Sequence, residues 1–432
     1  MALSGHASKA RVIPSFLVTG MKKVGVMDVG VLGGGLQGCC VALALAERGA
    51  KVTLFDKNND LLSRAAVANE GKIHLGYMYA GDPTLSTAKM MMAGALAFAP
   101  FLERYLGRRA QSFSVSNPAT YLVHRDSQHS PEHVCAYLRT VHGLVNEAAE
   151  KRTEAYFGKD LNAPLKVLSA TEREAEFNPA TVLVAVSTPE IAINPVLLAQ
   201  AMKDRVASHP RIEVRCNHTI IGAEQERGSI AVLTEGGAEP SRHRFDHVVN
   251  ALWDGRFALN ESLGHRANRP WLHRLKYGVS FRLPVEAKSP PSATVVLGPF
   301  GEVVTYGDGL IYLTWYPVCL QAISTAVSPP QWDTYPAEPL RSRLLKETFS
   351  AVSEIVSSLR AIDPEKIPEA TVKGGAIVAW GKTDIYDPES ELHRRFEIGV
   401  TTDGSFHSVD PGKLTMVPYF AEVCAERICP GR

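Results

Sequence analysis

Three glycines, Gly33, Gly35 and Gly38, follow an apolar run that starts at Asp28, and their spacing suits the binding of a dinucleotide pyrophosphate. Gly33 lets the chain turn tightly off a strand, Gly35 lets the backbone approach an anion, and Gly38 lets helix and strand pack closely. The anion then rests on the helix start at Leu36 and Gln37. Asp56, followed by Lys57, closes the next apolar run about twenty residues on, where an acceptor-only side chain receives hydrogen bonds from a ribose. Three further side chains could move protons or hold charge: His74, His407 and Lys413.

These residues need a βαβ unit to position them. Ala42 and Leu45 lie at helical spacing behind Gly38, Gly49 ends the helix, and Lys51–Asp56 reads as a strand. Beyond it, helices are predicted over 84–106, 131–155 and from Pro195 through Ser208. Runs at 164–169, 212–216, 218–223 and 247–253 read as strands of a continuing sheet. The alternating runs 276–283, 293–297, 302–306 and 310–316 predict a second, mainly antiparallel sheet, with Asp308-Gly309 as a hairpin turn. Leu340, Leu344, Leu345, Val352, Ile355, Val356 and Leu359 mark one face of a long helix packed against it.

Composition narrows the class. With 432 residues, 45% of them hydrophobic, 21% charged and a net charge of +1, the chain can bury a large core in two interleaved domains. No charge bias points to nucleic acid or membrane, and no apolar run approaches the roughly twenty residues needed to span a bilayer. Seven scattered cysteines, without metal-ligand spacing, fit a reduced cytoplasmic setting and no metal site. Residues 1–20 read as a disordered extension.

Five separated segments resemble, in order, the D-amino-acid oxidase, glycine oxidase and sarcosine oxidase superfamily of FAD-dependent oxidoreductases. They are Asp28 to Asp56, Leu62-Ser-Arg-Ala-Ala-Val-Ala-Asn-Glu-Gly-Lys-Ile-His-Leu-Gly76, Ile191-Ala-Ile-Asn-Pro-Val-Leu-Leu-Ala, Asp246-His-Val-Val-Asn-Ala-Leu-Trp253 and Gly404-Ser-Phe-His-Ser-Val-Asp-Pro-Gly-Lys-Leu-Thr415. The Gly-Lys-Leu-Thr turn is also similar to that of FAD-dependent glycerol-3-phosphate dehydrogenases. The resemblance implies an α/β fold, α+β overall: a Rossmann-like FAD-binding domain from 21–100, 165–270 and 371–432, interleaved with a substrate domain from 101–164 and 271–370. It implies FAD as cofactor, held by Ser63, Arg64, Asn69, Glu70, Gly71, Ala251, Trp253, Gly412, Lys413, Leu414 and Thr415 besides the glycine loop and Asp56-Lys57. Arg64 is read either as an FAD contact or as a surface ion-pair partner.

The expected reaction is removal of a hydride from a C–N bond of a small amine or amino-acid-like substrate, with electrons passed to O2 or another acceptor. The alternative is oxidation of an alcohol or 2-hydroxy acid, which needs a base, His74 or His407. Lys413 is expected to stabilise a reduced flavin or a substrate carboxylate, and His74 to touch substrate or flavin, carry a covalent flavin link, or stay structural. Relatives carry a Gly-Leu-Arg-Pro-like segment where this chain has Trp380-Gly-Lys-Thr-Asp384, so Lys382, Arg394 or Arg395 stands in for the carboxylate-binding arginine, or the substrate is not a simple amino acid. Candidate pocket walls are Tyr77, Tyr79, Tyr306, Tyr312, Trp315 and Tyr316.

Overall fold

A computed structural model describes residues 26–150, 156–236, 240–367 and 369–431. The expected extension over 1–20 lies outside the described residues. So do residues 151–155 of the helix predicted to 155, whose described part is Pro131–Ala149.

The apolar run from Asp28 forms a strand, Asp28–Leu32, that pairs in parallel with Lys51–Phe55 on one side and His247–Asn250 on the other. Ile212–Arg215 extends the sheet at one edge, and Phe406–Asp410 with Gly399–Asp403 at the other, giving six strands. Only the last pair is antiparallel. Helices cover such sheets on their faces, which is why these strands read as continuous apolar runs. The Leu36–Glu47 helix is buried from Leu36 to Ala46, so small residues on it decide how closely it approaches the sheet. A Cβ at Gly38 would stand 1.8 Å from the Gly33 carbonyl oxygen.

The second sheet has nine strands. Trp271–Arg282 is its spine, pairing along one edge with Leu320–Ser324 and Leu310–Trp315 and along the other with Thr371–Trp380. Gly301–Thr305, Ala293–Val295, Thr120–His124, Val182–Ser187 and Lys166–Val167 complete it, and only the Ala293–Val295 and Thr120–His124 pair runs parallel. The Asp308-Gly309 turn closes a hairpin, with Gly309 at φ +79°.

Several expectations need correction. Lys166–Val167, Val182–Ser187 and Thr371–Trp380 were assigned to the nucleotide half, yet they hydrogen-bond into the second sheet. Val182–Ser187 and Thr371–Trp380 pair with strands more than 50 residues away, a register that local pattern does not reveal, and Lys166–Val167 follows Val182–Ser187. Thr219–Glu226 belongs to a separate three-stranded antiparallel sheet with Ser229–Glu235 and Ser241–Phe245, rather than continuing the first one. The run at 247–253 is a strand only to Asn250. The long helix stops at Ser353. Asn178 takes the exposed carbonyls beyond it, its backbone N–H donating to Ile355 O at 2.9 Å and its Nδ2 to Glu354 O at 2.9 Å, so Leu359 reaches the same core from a 3-10 turn.

Gly38→Ala is expected to destabilise the apoprotein by about 1–3 kcal/mol, because the methyl group has no room against the Gly33 carbonyl. Thermal unfolding of the flavin-free protein measures this, and an unchanged midpoint contradicts the packing role.

Candidate active site

A cleft of about 630 Å³ is lined by residues of both large sheets and their loops. At its floor the Leu36–Glu47 helix starts from Gly35 with no side-chain cap, so its first N–H groups face the cleft unsatisfied. A Cβ on Gly35 would meet nothing within 4 Å, whereas one on Gly33 would lie 2.6 Å from Ala251 O. Two of the glycines are therefore demanded by the protein's own packing, and Gly35 leaves space for something outside it. Asp56 is pinned beside this helix start: Oδ2 accepts from Gly34 N at 2.7 Å, and Oδ1 from Asn58 N and Nδ2 at 2.8 and 2.7 Å. Oδ2, which accepts one bond where Oδ1 accepts two, keeps a lone pair for a ribose hydroxyl. Trp253 sits at φ +57°, a costly conformation for a bulky residue, held by its Nε1 donating to Ala376 O at 2.7 Å.

The cleft brings together Gly33, Gly35, Leu36, Gln37, Asp56, Lys57, Ser63, Arg64, Asn69, Glu70, His74, Ala251, Trp253, Gly412, Lys413 and Leu414. Gly38, Gly71 and Thr415 do not line it. A Cβ on Gly71 would stand 1.8 Å from Ile193 O, and Thr415 Oγ1 accepts from His74 N at 3.0 Å and donates to Lys72 O at 3.2 Å. They shape the walls from behind. Asn69 spends its side chain on its own loop, donating to Ala65 O and Ala66 O and accepting from Gly71 N. Arg64 donates to Trp332 O at 3.3 Å and approaches Asp254 to 3.8 Å.

His407 lies elsewhere, and its reading as a base is withdrawn. It is buried in the nucleotide sheet with its Nε2 3.0 Å from His247 Nδ1. Burial, then His247 and Arg427, push its pKa down to about 4.

Of the two candidate bases, His74 is the one that lines the cleft. Its Nδ1 lies 3.2 Å from Glu190 Oε1, and Glu190, fully buried, also accepts from Leu75 N at 2.7 Å and from Tyr121 OH. Burial lowers the His74 pKa more than the Glu190 carboxylate raises it, and Lys413 and Lys72 lower it further. The ring is thus neutral at neutral pH. A carboxylate beside Nδ1 selects the tautomer with the proton there and the lone pair on Nε2.

Around it stand buried charges. Lys72 pairs with Glu302 and Thr294. Lys276 lies 3.4 Å from Glu70 and 5.1 Å over the Tyr316 ring. Burial acts to raise the Glu70 pKa, but Lys276 and Lys413 outweigh it and hold the carboxyl well below its usual range. The Lys413 ammonium has no hydrogen bond or ion pair with any described residue, and burial, helped by Arg395, lowers its pKa to about 7. Lys382 and Arg394 are exposed, while Arg395 is buried with its Nε donating to Leu392 O at 3.2 Å.

Of the six aromatic wall candidates, only Tyr316 lines the cleft. Tyr306 donates to Glu70 O at 2.6 Å from behind, Tyr77 OH meets His142 Nδ1 at 2.9 Å, and Trp315 packs near His124. Tyr79 and Tyr312 are buried with unpartnered hydroxyls. Lys72, Glu190, Lys276 and Glu302 were missed as site residues. Part of their signal was present: Glu190 and Glu302 are lone charges in apolar stretches, and Lys72 shares a strand face with His74 by its spacing of two.

A Rossmann-like sheet, an uncapped glycine-rich helix start and a carboxylate beside it define a dinucleotide-binding enzyme fold. Residues 28–384 match the family model described as DAO, FAD dependent oxidoreductase, and the chain belongs to that family. In fold it is similar to glycine oxidase from Geobacillus kaustophilus, 13% identical, covering 93% of this chain and 94% of that one with a TM-score of 0.65. L-proline dehydrogenase from P. horikoshii is 15% identical over 94% of both chains, TM-score 0.64. L-alpha-glycerophosphate oxidase from Mycoplasma pneumoniae, solved with FAD bound, is 18% identical over 93% of this chain and 95% of that one, TM-score 0.60. A 53-residue stretch is 38% identical to the FAD-dependent monooxygenase FPY4 of Fusarium mangiferae, spanning 12% of this chain and 14% of that relative's length. Among the described residues no helix is long and apolar enough to cross a membrane.

The His74 shift carries a pH dependence. The unfolded chain takes up the proton first, near the ordinary value of 6.5, so this histidine adds stability above that pH which is lost as pH falls through its lower folded value. Glu190→Gln keeps the contact and removes the charge that raises His74. The acid limb of kcat/KM is expected to move to lower pH, and its plateau to fall by about 10- to 100-fold, part of the roughly 10²–10⁴ a general base supplies. An unmoved limb with undiminished turnover refutes the dyad.

Proposed function

We propose that the enzyme oxidises a small anionic 2-hydroxy acid at the carbon bearing the hydroxyl. The observation that carries this reading is the neutral His74 ring, backed by Glu190 through Nδ1 and lining the cleft. His74 Nε2 takes the hydroxyl proton, and Glu190 stabilises the imidazolium that forms. Bound FAD would supply the two-electron acceptor for the hydride, with O2 or another acceptor as the final oxidant. Lys413 receives the carboxylate: an ammonium held near pKa 7 by burial and without a partner regains its charge when an anion arrives. Leu36 and Gln37 present helix N–H groups to the pyrophosphate, and Asp56 holds the ribose.

Oxidation of a C–N bond, placed first by the sequence reading, becomes the second reading. The His74 ring can take a proton from an ammonium as well as from a hydroxyl, which keeps that chemistry open to the same residues. The balance turns on charge. The acids Glu70 and Glu302 are committed to Lys276 and Lys72, and the buried, uncommitted ammonium of Lys413 beside Glu70 repels a substrate ammonium.

Anaerobic bleaching of the flavin by matched 2-hydroxy, 2-amino and N-methylamino acids tests this. The hydroxy acid is expected to bleach it, with His74→Gln slowing reduction about 10²- to 10⁴-fold. Lys413→Met is expected to raise KM roughly 10- to 150-fold, the loss of one hydrogen bond to a charged group at about 1.5–3 kcal/mol. Bleaching by amino acids alone overturns the assignment in favour of the second reading.

A further inference from the structure

The chain over 325–339 joins the Leu320–Ser324 strand to the Leu340–Ser353 helix without forming either, a length at which loops are usually functional. Prolines at 329, 330, 336 and 339 fix much of its backbone in advance. It is tied down on both sides of a short span. Ala326 O accepts from Trp271 Nε1 at 3.4 Å before the span. After it, Trp332 O accepts from Arg64 Nη2 at 3.3 Å, Asp333 O from Tyr277 OH at 2.9 Å, and Thr334 O from Gly374 N at 2.7 Å. Ser328, Pro329, Pro330 and Gln331, between these anchors, line the cofactor cleft and hydrogen-bond no described residue.

The anchors come from two walls. Tyr277, Gly374 and Trp271 belong to the second sheet, whereas Arg64 belongs to the segment that follows Asp56 and also approaches Asp254, beside Trp253. A preordered span with free polar groups is thus stretched across the same cleft as the uncapped helix start at Gly35. We propose that Ser328–Gln331 is a clasp on bound FAD, contributed by the second sheet, and that Arg64 is its latch. The Gln331 amide and Ser328 hydroxyl supply hydrogen-bond groups of the kind that ribose and phosphate oxygens accept. Because Pro329 and Pro330 lower the cost of ordering the span, it covers the cofactor without giving up much of what the contacts gain. This inference needs only the cofactor and is independent of which substrate is oxidised.

Two measurements on the full-length holoprotein test it. Recovery of free-flavin fluorescence reads FAD dissociation. The double variants Pro329→Gly/Pro330→Gly and Ser328→Ala/Gln331→Ala are each expected to speed it about tenfold, equivalent to about 1.4 kcal/mol. The apoprotein melting midpoint of Ser328→Ala/Gln331→Ala is expected to match wild type, because these two side chains are exposed and hydrogen-bond no described residue. Amide hydrogen exchange, which needs no variant, compares apo and FAD-loaded wild-type protein. Protection of Ser328, Gln331 and Trp332 together with Gly35–Gln37 supports the clasp. Protection of Gly35–Gln37 with no change over 328–332 overturns it, as do unaltered dissociation rates in both variants.

Discussion

The Leu36–Glu47 helix begins with bare N–H groups, and the rest of the structure is organised around that beginning. A buried helix that starts without a cap is unstable on its own account unless an anion or water satisfies it. Gly33 and Gly38 bring the helix start to the strand ends, Gly34 N holds Asp56 beside it, and Gly35 keeps the approach open. The chain therefore spends packing precision on a place that it does not itself fill. That place suits the pyrophosphate proposed to bind there, and the second sheet reaches it through Ala376, which anchors Trp253, and the 325–339 loop through Trp332, which accepts from Arg64.

The reacting end of the cleft obeys a different constraint. Ionised groups withdrawn from water are stable only with partners, and most of them here have partners: Lys72 with Glu302, Lys276 with Glu70, Arg274 with Asp384. Against that balance the Lys413 ammonium stands out, its charge weakened by burial and by Arg395. A neutral imidazole a short way along the same wall completes a site that can take a proton and hold a negative charge. Both tasks are those that the proposed oxidation of an anionic alcohol asks of the protein.

Local demands were legible and distant pairings were not. The glycine loop, the carboxylate at Asp56 and the hairpin at Asp308-Gly309 could be read because each depends on backbone conformation within a few residues. Lys413 and His74 were singled out as well, though sequence could not tell His74 from His407. The difference lies in Glu190, 116 residues away from His74, which no local pattern connects to it. Likewise Lys72 finds Glu302 only through the register of two strands, and the break after Ser353 depends on Asn178. Tyrosines that looked like pocket walls turned out to support the loops behind the wall, since aromatic residues serve core and site alike.

The account stands on the protonation state of one ring. Nitrogen-15 NMR of ring-labelled histidine in the FAD-loaded enzyme, with His74 assigned from its loss in a His74→Gln spectrum, reads that state directly. At pH 7 a neutral ring is expected, with one protonated nitrogen on Nδ1 facing Glu190 and one basic nitrogen on Nε2. A ring protonated on both nitrogens, or one carrying its proton on Nε2, contradicts it.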